Sequence, residues 1–155
     1  MGWRSGLRKN LVKALISGAC FLISGQVQGQ RPAFKKKKIH VGSIELTAEI
    51  ADSEEKITHG LMYRKQPMKD SEGMLFIFNS EKKLTFWMKN TFIPLSIGFF
   101  SQNKKLAHTA EMEPVRSEME KPKTYDSQVP AMYVLEVAPG WFSRNKIALG
   151  ALLYP

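Results

Sequence analysis

Apolar and polar side chains alternate along much of the chain after residue 38. In "IELTAEIA" every second residue is apolar, which is the period of a strand buried on one face. "MLFIF", "PLSIGFF", "LAHTAEM" and "AMYVLEV" are further short, strongly apolar segments between turn residues. The pattern predicts a mainly β fold with one or two short helices (α+β), built on a compact, largely antiparallel, partly closed and barrel-like sheet. Strands this close in sequence are expected to be antiparallel neighbours.

Two segments break this period. In "DSEEKITHGLMYR", Asp52 or Ser53 can cap a helix, and Ile57 and Leu61 fall four apart on one side of it. Gly60 brings that helix to its end. "APGWFSRNK" predicts a turn followed by a second short helical segment. The stretch 113–130 contains three prolines and few hydrophobic residues, so it is expected to be a long surface loop.

The segment "LTFWMKN" is unusual because it ends an aromatic strand with a lysine and an asparagine. Alternation places Phe86 and Met88 on a core face and Trp87 and Lys89 on the other face, with Asn90 at the strand end. In one interpretation the face of Trp87 and Lys89 is solvent-exposed, the lysine stem lies along the indole, and Asn90 supports a turn. In the other, the ring and the two polar groups form a recognition surface for a small polar ligand.

Glu136 adds to the second interpretation. In "AMYVLEV" it shares a strand face with Met132 and Val134, where a carboxylate needs water or a partner. Lys89 is the expected partner across the sheet. The predicted ligand-binding residues are therefore Trp87, Lys89, Asn90 and Glu136.

The distribution of charge argues against a nucleic-acid partner. Nine of the 23 basic residues lie in the first 38 positions, so the remainder balances the 14 acidic residues. A neutral domain has no surface for tracking phosphates. The run Lys35, Lys36, Lys37 and Lys38 is interpreted as part of a basic linker over residues 30–38, with peripheral contact with anionic lipid as the alternative.

The first 29 residues have the layout of a secretory signal peptide. Arg4, Arg8 and Lys9 precede an apolar run over residues 11–23, and small and polar residues follow it. The run is shorter than the roughly 20 residues of a membrane span. Cleavage after Gly29 is expected, with an uncleaved anchor or a lipoprotein at Cys20 as alternatives. The protein is therefore predicted to be exported, periplasmic or secreted, with a single domain over residues 39–155.

Residue types offer little for a metal, cofactor or covalent mechanism. The one cysteine, Cys20, belongs to the leader, so the domain has neither a disulfide nor a thiolate. His40, His59 and His108 are widely spaced and include no pair at ligand spacing. We therefore expect no metal and no cofactor. Glu136 with Lys89 could form an acid and base pair, but an ordinary ion pair is the simpler interpretation.

Four segments together resemble the domain-of-unknown-function 192 family. They are "GLMYR", "EGMLFIF", "FWMKNTFIPLSIGFF" and "MYVLEVAPGWFSRNKIALG", in this order. The resemblance implies a small, mainly β, single-domain protein, frequently behind a signal peptide, and implies no activity. The chain departs from the family pattern at Ser96 and at Ala151, where the family usually has aspartate.

Three functions remain open at this point. The first is an exported binding module for a polar small molecule, a glycan or a peptide near the "FWMKN" segment. The second is an envelope protein-protein interaction module that docks through loop 113–130 or a sheet edge. An enzyme using Glu136 and Lys89 is the third and has the least support.

Overall fold

Residues 31–155 are described by a computed structural model, and they form one compact unit. The predicted leader and its cleavage site lie outside the described residues and remain predictions. Two sheets and two short helices make up the fold. The strands are β1 (Lys35–Val41), β2 (Ile44–Ala51), β3 (Glu72–Lys82), β4 (Thr85–Trp87), β5 (Leu95–Phe100), β6 (Leu106–Met112), β7 (Thr124–Asp126), β8 (Ala131–Val137) and β9 (Leu153–Tyr154), and the helices are α1 (Glu54–His59) and α2 (Trp141–Arg144). Within this part of the chain, neither helix has the length or hydrophobicity to span a bilayer.

The larger sheet has seven strands in the order β6-β5-β8-β3-β2-β1-β9. All pairs are antiparallel except β2 with β3, which are parallel. Helix α1 and the loop after it make the crossover that a parallel pair requires. The predicted mainly β, largely antiparallel fold with short helices is therefore confirmed.

The sheet curls so that its two outer strands approach each other. Strand β9 pairs with His40 and Val41 of β1. The segment just before and within β9 also bonds to the start of β6, where the Leu106 amide donates to the Ala151 carbonyl at 2.9 Å and the Leu153 amide donates to the Lys104 carbonyl at 2.9 Å. This contact makes the sheet a partly closed half-barrel.

Two hydrophobic clusters cover opposite faces of the larger sheet. One cluster contains Trp141, Leu135 and Val137, and the other contains Phe99 and Val134. Successive residues of β8 thus alternate between the clusters, as a strand buried on both faces requires. Glu136 follows the register of Val134 and points toward the cluster of Phe99.

Helix α1 begins and ends where the sequence predicted. The Lys56 amide approaches the Ser53 hydroxyl oxygen at 3.5 Å, with Ser53 at the N-cap position. Gly60 follows the last turn with φ of 48°, a region that glycine adopts at little cost. A Cβ at Gly60 would lie 3.4 Å from the Phe76 ring, so the helix end is packed closely on β3.

The structure differs from the expected layout in three places. Lys35 to Lys38, interpreted as linker, form the first half of β1 and pair with residues 47–50 of β2. Strand β4 does not pair with β5. It pairs instead with β7, which lies inside the predicted loop 113–130. Pairing over so long a sequence separation leaves no local signal.

The lysine half of β1 is also an open edge. Strand β9 covers only His40 and Val41, so no strand of residues 31–155 lies beside the outward backbone groups of residues 35–38. Lysine on an edge strand opposes pairing with another chain. The four lysines are thus compatible with a strand although they do not alternate with apolar residues.

The Phe142 ring of α2 leaves no room for a side chain at Gly98 of β5. A Cβ at residue 98 would overlap the Phe142 ring and lie 3.1 Å from the side chain of Leu106. We expect Gly98→Ala to lower the free energy of unfolding by about 1–3 kcal/mol, measured by urea denaturation. In a Phe142→Leu background the same substitution should cost at least about 0.5 kcal/mol less. Equal costs in both backgrounds would contradict this packing.

Candidate functional site

Strand β4 is attached to the larger sheet through Phe86. Its ring meets Phe76 at a centroid distance of 5.1 Å and Phe99 at 5.9 Å, edge to face in both cases. Met88, two residues on, is 1% exposed. These two anchors hold the intervening Trp87 on the outside, where it is 48% exposed. The predicted alternation of this segment is therefore observed over residues 86–88.

Lys89 lies against the indole and not against a carboxylate. Its Nζ is 5.1 Å from the centroid of the Trp87 ring, a cation–π distance. Among the ion pairs of residues 31–155, none involves Lys89 or Glu136. The cross-sheet pair expected between these two residues is therefore not formed. The exposed ammonium keeps its hydration while it rests on the ring, which a buried ion pair would not allow.

Asn90 ends a turn and not a strand. It has φ of 52°, in the left-handed region that asparagine tolerates better than most residues. Its Nδ2 donates to the Tyr63 hydroxyl at 2.6 Å, and the Tyr63 amide donates to the Asn90 carbonyl at 2.7 Å. Asn90 thus joins the segment after β4 to the segment after α1.

The buried carboxyl of Glu136 has no hydrogen-bond or ion-pair partner among residues 31–155. It is 6% exposed and lies in the middle of β8, opposite Met74 of β3 and Ile97 of β5. Burial alone raises the pKa of the Glu136 carboxyl to about 8 from its ordinary value of about 4.5, with no contribution from a hydrogen bond or a nearby charge. No fully enclosed polar side-chain atom in residues 31–155 lacks a hydrogen bond, so the carboxyl oxygens must reach a cavity.

A small cavity of about 30 Å³ brings Glu136 together with the "FWMKN" segment. Trp87 and Lys89 line it from β4 and the turn that follows, and His59 lines it from α1. Its apolar lining residues are Ile57, Leu61, Met62, Phe76 and Phe86, and Thr58 and Thr91 add polar groups to the lining. Three of the four predicted site residues thus line one cavity, and Asn90 lies beside it through Tyr63.

The sequence analysis missed the contribution of α1 to this cavity. His59 was interpreted as one of several isolated histidines, yet it is half-buried, its Nδ1 lies 3.3 Å from the Gly60 carbonyl oxygen, and its ring lies 6.5 Å from that of Tyr63. Thr91 is also at the cavity and is 5% exposed.

A larger cavity, of about 220 Å³, lies over the parallel pair β2–β3. One carboxylate in its lining, the half-buried Glu49, accepts from Arg64 at 2.9 Å and also pairs with Arg31. Charges that are already paired leave less binding energy for a ligand than an unpartnered group does. The smaller cavity is therefore the stronger candidate site.

The two departures from the family pattern lie away from the Glu136 cavity. The Ser96 hydroxyl contacts both carboxylate oxygens of Glu111, at 2.6 and 2.7 Å, and the Gly140 amide donates to the Ser96 oxygen at 2.7 Å. Serine can donate to Glu111, whereas an ionised aspartate would repel it. Within residues 31–155, no cluster of three or more acidic, histidine or cysteine residues has the geometry to hold a metal ion.

Comparison with known proteins places the chain in a family. The DUF192 family model, described as "Uncharacterized ACR", matches residues 36–154. The chain belongs to the DUF192 family. The resemblance seen in the four sequence segments is therefore confirmed. No curated protein sequence matches the chain.

Two solved structures are similar to this DUF192 protein. One is a protein from Sinorhizobium meliloti 1021, described as a candidate transcription regulator, with 30% identity, a TM-score of 0.69, and coverage of 79% of this chain and 95% of that chain. The other is a protein of unknown function from Novosphingobium aromaticivorans DSM 12444, with 29% identity, a TM-score of 0.66, and coverage of 84% of this chain and 89% of that chain. Neither description names a ligand.

The buried carboxyl should make stability fall as the pH rises. The folded-state pKa of Glu136, about 8, exceeds its ordinary value of about 4.5, so the folded protein holds a proton that the unfolded chain releases between these values. Relative to wild type, Glu136→Gln should gain about 1.4 kcal/mol of unfolding free energy per pH unit across this window. Denaturant unfolding at pH 5, 6, 7 and 8 measures the difference. The exposed Glu118→Gln is the control, and a parallel profile for Glu136→Gln would contradict the buried state of this carboxyl.

The turn after β4 should depend on the left-handed backbone of residue 90. Asn90→Gly and Asn90→Ala both remove the donor to Tyr63, but only alanine carries a penalty of about 1 kcal/mol at φ of 52°. Urea denaturation should therefore give Asn90→Ala a lower free energy of unfolding than Asn90→Gly. The reverse order would show that residue 90 does not require this conformation.

Proposed function

We propose that this protein is an exported, non-catalytic binding module that holds a small polar ligand at the cavity lined by Trp87, Lys89 and Glu136. The proposal depends mainly on one observation: Glu136 is buried, has no partner in the part of the chain that the structure describes, and lines that cavity. Leaving a buried polar group unpaired costs about 1–3 kcal/mol. A ligand that supplies the missing partner recovers that free energy on binding.

The rim of the cavity supports the same proposal. Trp87 offers a half-exposed ring on which a ligand can stack, and Lys89 makes no ion pair with residues 31–155 that would hold it on the ring. Large aromatic side chains and a few directed polar groups are the usual elements of a ligand site. Tyr63 and Asn90 fix the backbone beside the rim, so little ordering is needed on binding.

Binding has more support than catalysis. An acid and base mechanism needs two titratable groups within hydrogen-bond reach of one substrate position. His59 and Lys89 line the same cavity as Glu136, but neither bonds to its carboxyl, and the Lys89 ammonium rests on the indole. The geometry therefore favours recognition of a polar group.

The alternative of an envelope protein-protein interaction module has less support. Loop 113–130 is attached to the domain through β7, which pairs with β4, and through the Ser127 amide, which donates to the Leu84 carbonyl at 2.8 Å. Membrane contact through Lys35 to Lys38 is also less favoured. These lysines alternate between the two faces of β1, and Lys38 bonds Glu45 at 2.8 Å.

Ligand binding should weaken when either Trp87 or Glu136 is substituted. Isothermal titration against monosaccharides, amino acids, primary amines and cell-wall peptides should give at least one ligand whose affinity falls tenfold or more in Trp87→Ala and in Glu136→Gln, a loss of about 1.4 kcal/mol. Tyr154→Ala is the matched control, because Tyr154 is 53% exposed and lies on β9. Unchanged affinities in both site variants for every ligand detected would refute the site.

A further inference from the structure

We propose that the open edge of β1 at Lys35 to Lys38 binds an acidic, extended segment of another protein, which adds to the larger sheet as a further strand. This interaction surface is separate from the Glu136 cavity, whose lining includes no residue of β1. It therefore does not depend on the proposed ligand binding. The inference is carried by the backbone groups of this edge and by the charge of its side chains.

The backbone of this edge has the alternation that a further strand requires. The Gly42 amide donates to the Leu152 carbonyl at 2.8 Å, on the side of β1 that β9 occupies. Because successive residues of a strand direct their backbone groups to opposite sides, Lys36 and Lys38 direct theirs to this same side. No strand of residues 31–155 reaches them there. Each of these lysines therefore offers an amide and a carbonyl to an added strand.

The lysines of this edge carry positive charge that β2 does not neutralise. All four side chains are exposed. Lys35 and Lys37 stand opposite apolar residues of β2. Among the ion pairs of residues 31–155, only Lys38 of the four takes part, with Glu45 at 2.8 Å. The row of charge is therefore open to carboxylates that approach from the outer side.

Lys36 lacks a carboxylate even though one stands opposite it in β2. Its cross-strand neighbour is Glu49, but that carboxylate pairs with Arg64 at 2.9 Å and also with Arg31. Opposite charges on adjacent strands stabilise strand pairing. A glutamate or aspartate of an added strand would thus meet, at Lys36, an ammonium that no carboxylate of the described residues holds.

The same charge selects among the possible occupants of this edge. A second copy of the protein would bring its own row of lysines, and like charges on opposed strands disfavour pairing. Residues 1–30 contain four basic residues and no acidic residue, so they bring no carboxylate to the edge. Anionic lipid matches the charge but does not need backbone groups in strand register. An acidic strand uses both the charge and the backbone.

The test is fluorescence polarisation with the fluorescein-labelled peptide VTEEEETV and the matched peptide VTQQQQTV. We expect the acidic peptide to bind at least about tenfold more tightly than the glutamine peptide at low ionic strength, because only its side chains pair with the lysines. Equal binding of the two peptides, or no binding of the acidic peptide, would overturn the inference.

Two substitutions at one position separate charge from backbone pairing. Lys36→Gln removes the ammonium and keeps the outward amide, whereas Lys36→Pro removes both. We expect Lys36→Gln to weaken binding of the acidic peptide several-fold, and Lys36→Pro to weaken it by at least about threefold more. The exposed Lys121→Gln in loop 113–130 is the control and should leave affinity unchanged. Equal affinity in the two Lys36 variants would overturn the inference, because the edge would then attract anions through charge alone, as a lipid contact does.

A second probe tests the same hydrogen bonds if Lys36→Pro does not fold. The acidic peptide methylated on the backbone nitrogens of its glutamates keeps its charge but cannot donate from them to β1. It should bind the unaltered protein at least about threefold more weakly than the parent peptide, and equal binding would contradict strand addition. Folding of each variant is checked by near-UV circular dichroism, which reports the packing of the buried Trp141.

Discussion

The position of β8 between β3 and β5 is the constraint on which the rest of the structure depends. Both faces of this strand are covered by hydrophobic clusters, so each of its side chains enters one cluster or the other. The register of β8 places Val134 and Glu136 on the same face of the sheet. A shift by one residue would exchange the side chains that enter the two clusters. The carboxyl of Glu136 is therefore inside because the strand is inside, and the adjoining cavity is its route to solvent.

Two segments far apart in sequence complete the surroundings of that carboxyl. Phe86 and Met88 anchor the β4 segment to the core, and Tyr63 joins the segment after α1 to Asn90 by two hydrogen bonds. The crossover from β2 to β3 brings α1 over the same face of the sheet. The candidate site is assembled from three packed elements, so the ligand binding that we propose would require little rearrangement.

Much of the fold could be predicted from the sequence because its signals are local. The alternation in β2 and the cap and glycine of α1 each lie within a few residues. The pairing of β4 with β7 could not be predicted, because the paired residues of these two strands lie about 40 residues apart along the chain. Lys35 to Lys38 were assigned to a linker because four consecutive charged residues do not show the alternation of a strand. They can nevertheless form a strand, because an open edge accepts lysine.

The candidate site also combines features that the sequence could predict with features that depend on distant contacts. Trp87, Lys89 and Glu136 could be nominated because a ring, a cation and a carboxylate stand out among apolar neighbours. The depth of Glu136 and the preference of Lys89 for the indole could not be predicted, since both depend on which elements cover β8. His59 could not be distinguished from the other histidines without the packing of α1.

The lysine half of β1, beside which the described part of the chain places no outer strand, affects the colloidal behaviour of the protein. Mutual repulsion of like charges keeps two such edges apart, and the Debye length shortens from about 10 Å at 0.1 M salt to about 3 Å at 1 M. Concentrated salt therefore removes the electrostatic barrier while the backbone donors and acceptors of this edge remain. The ionic strength of the medium thus governs how well this margin of the sheet resists self-association.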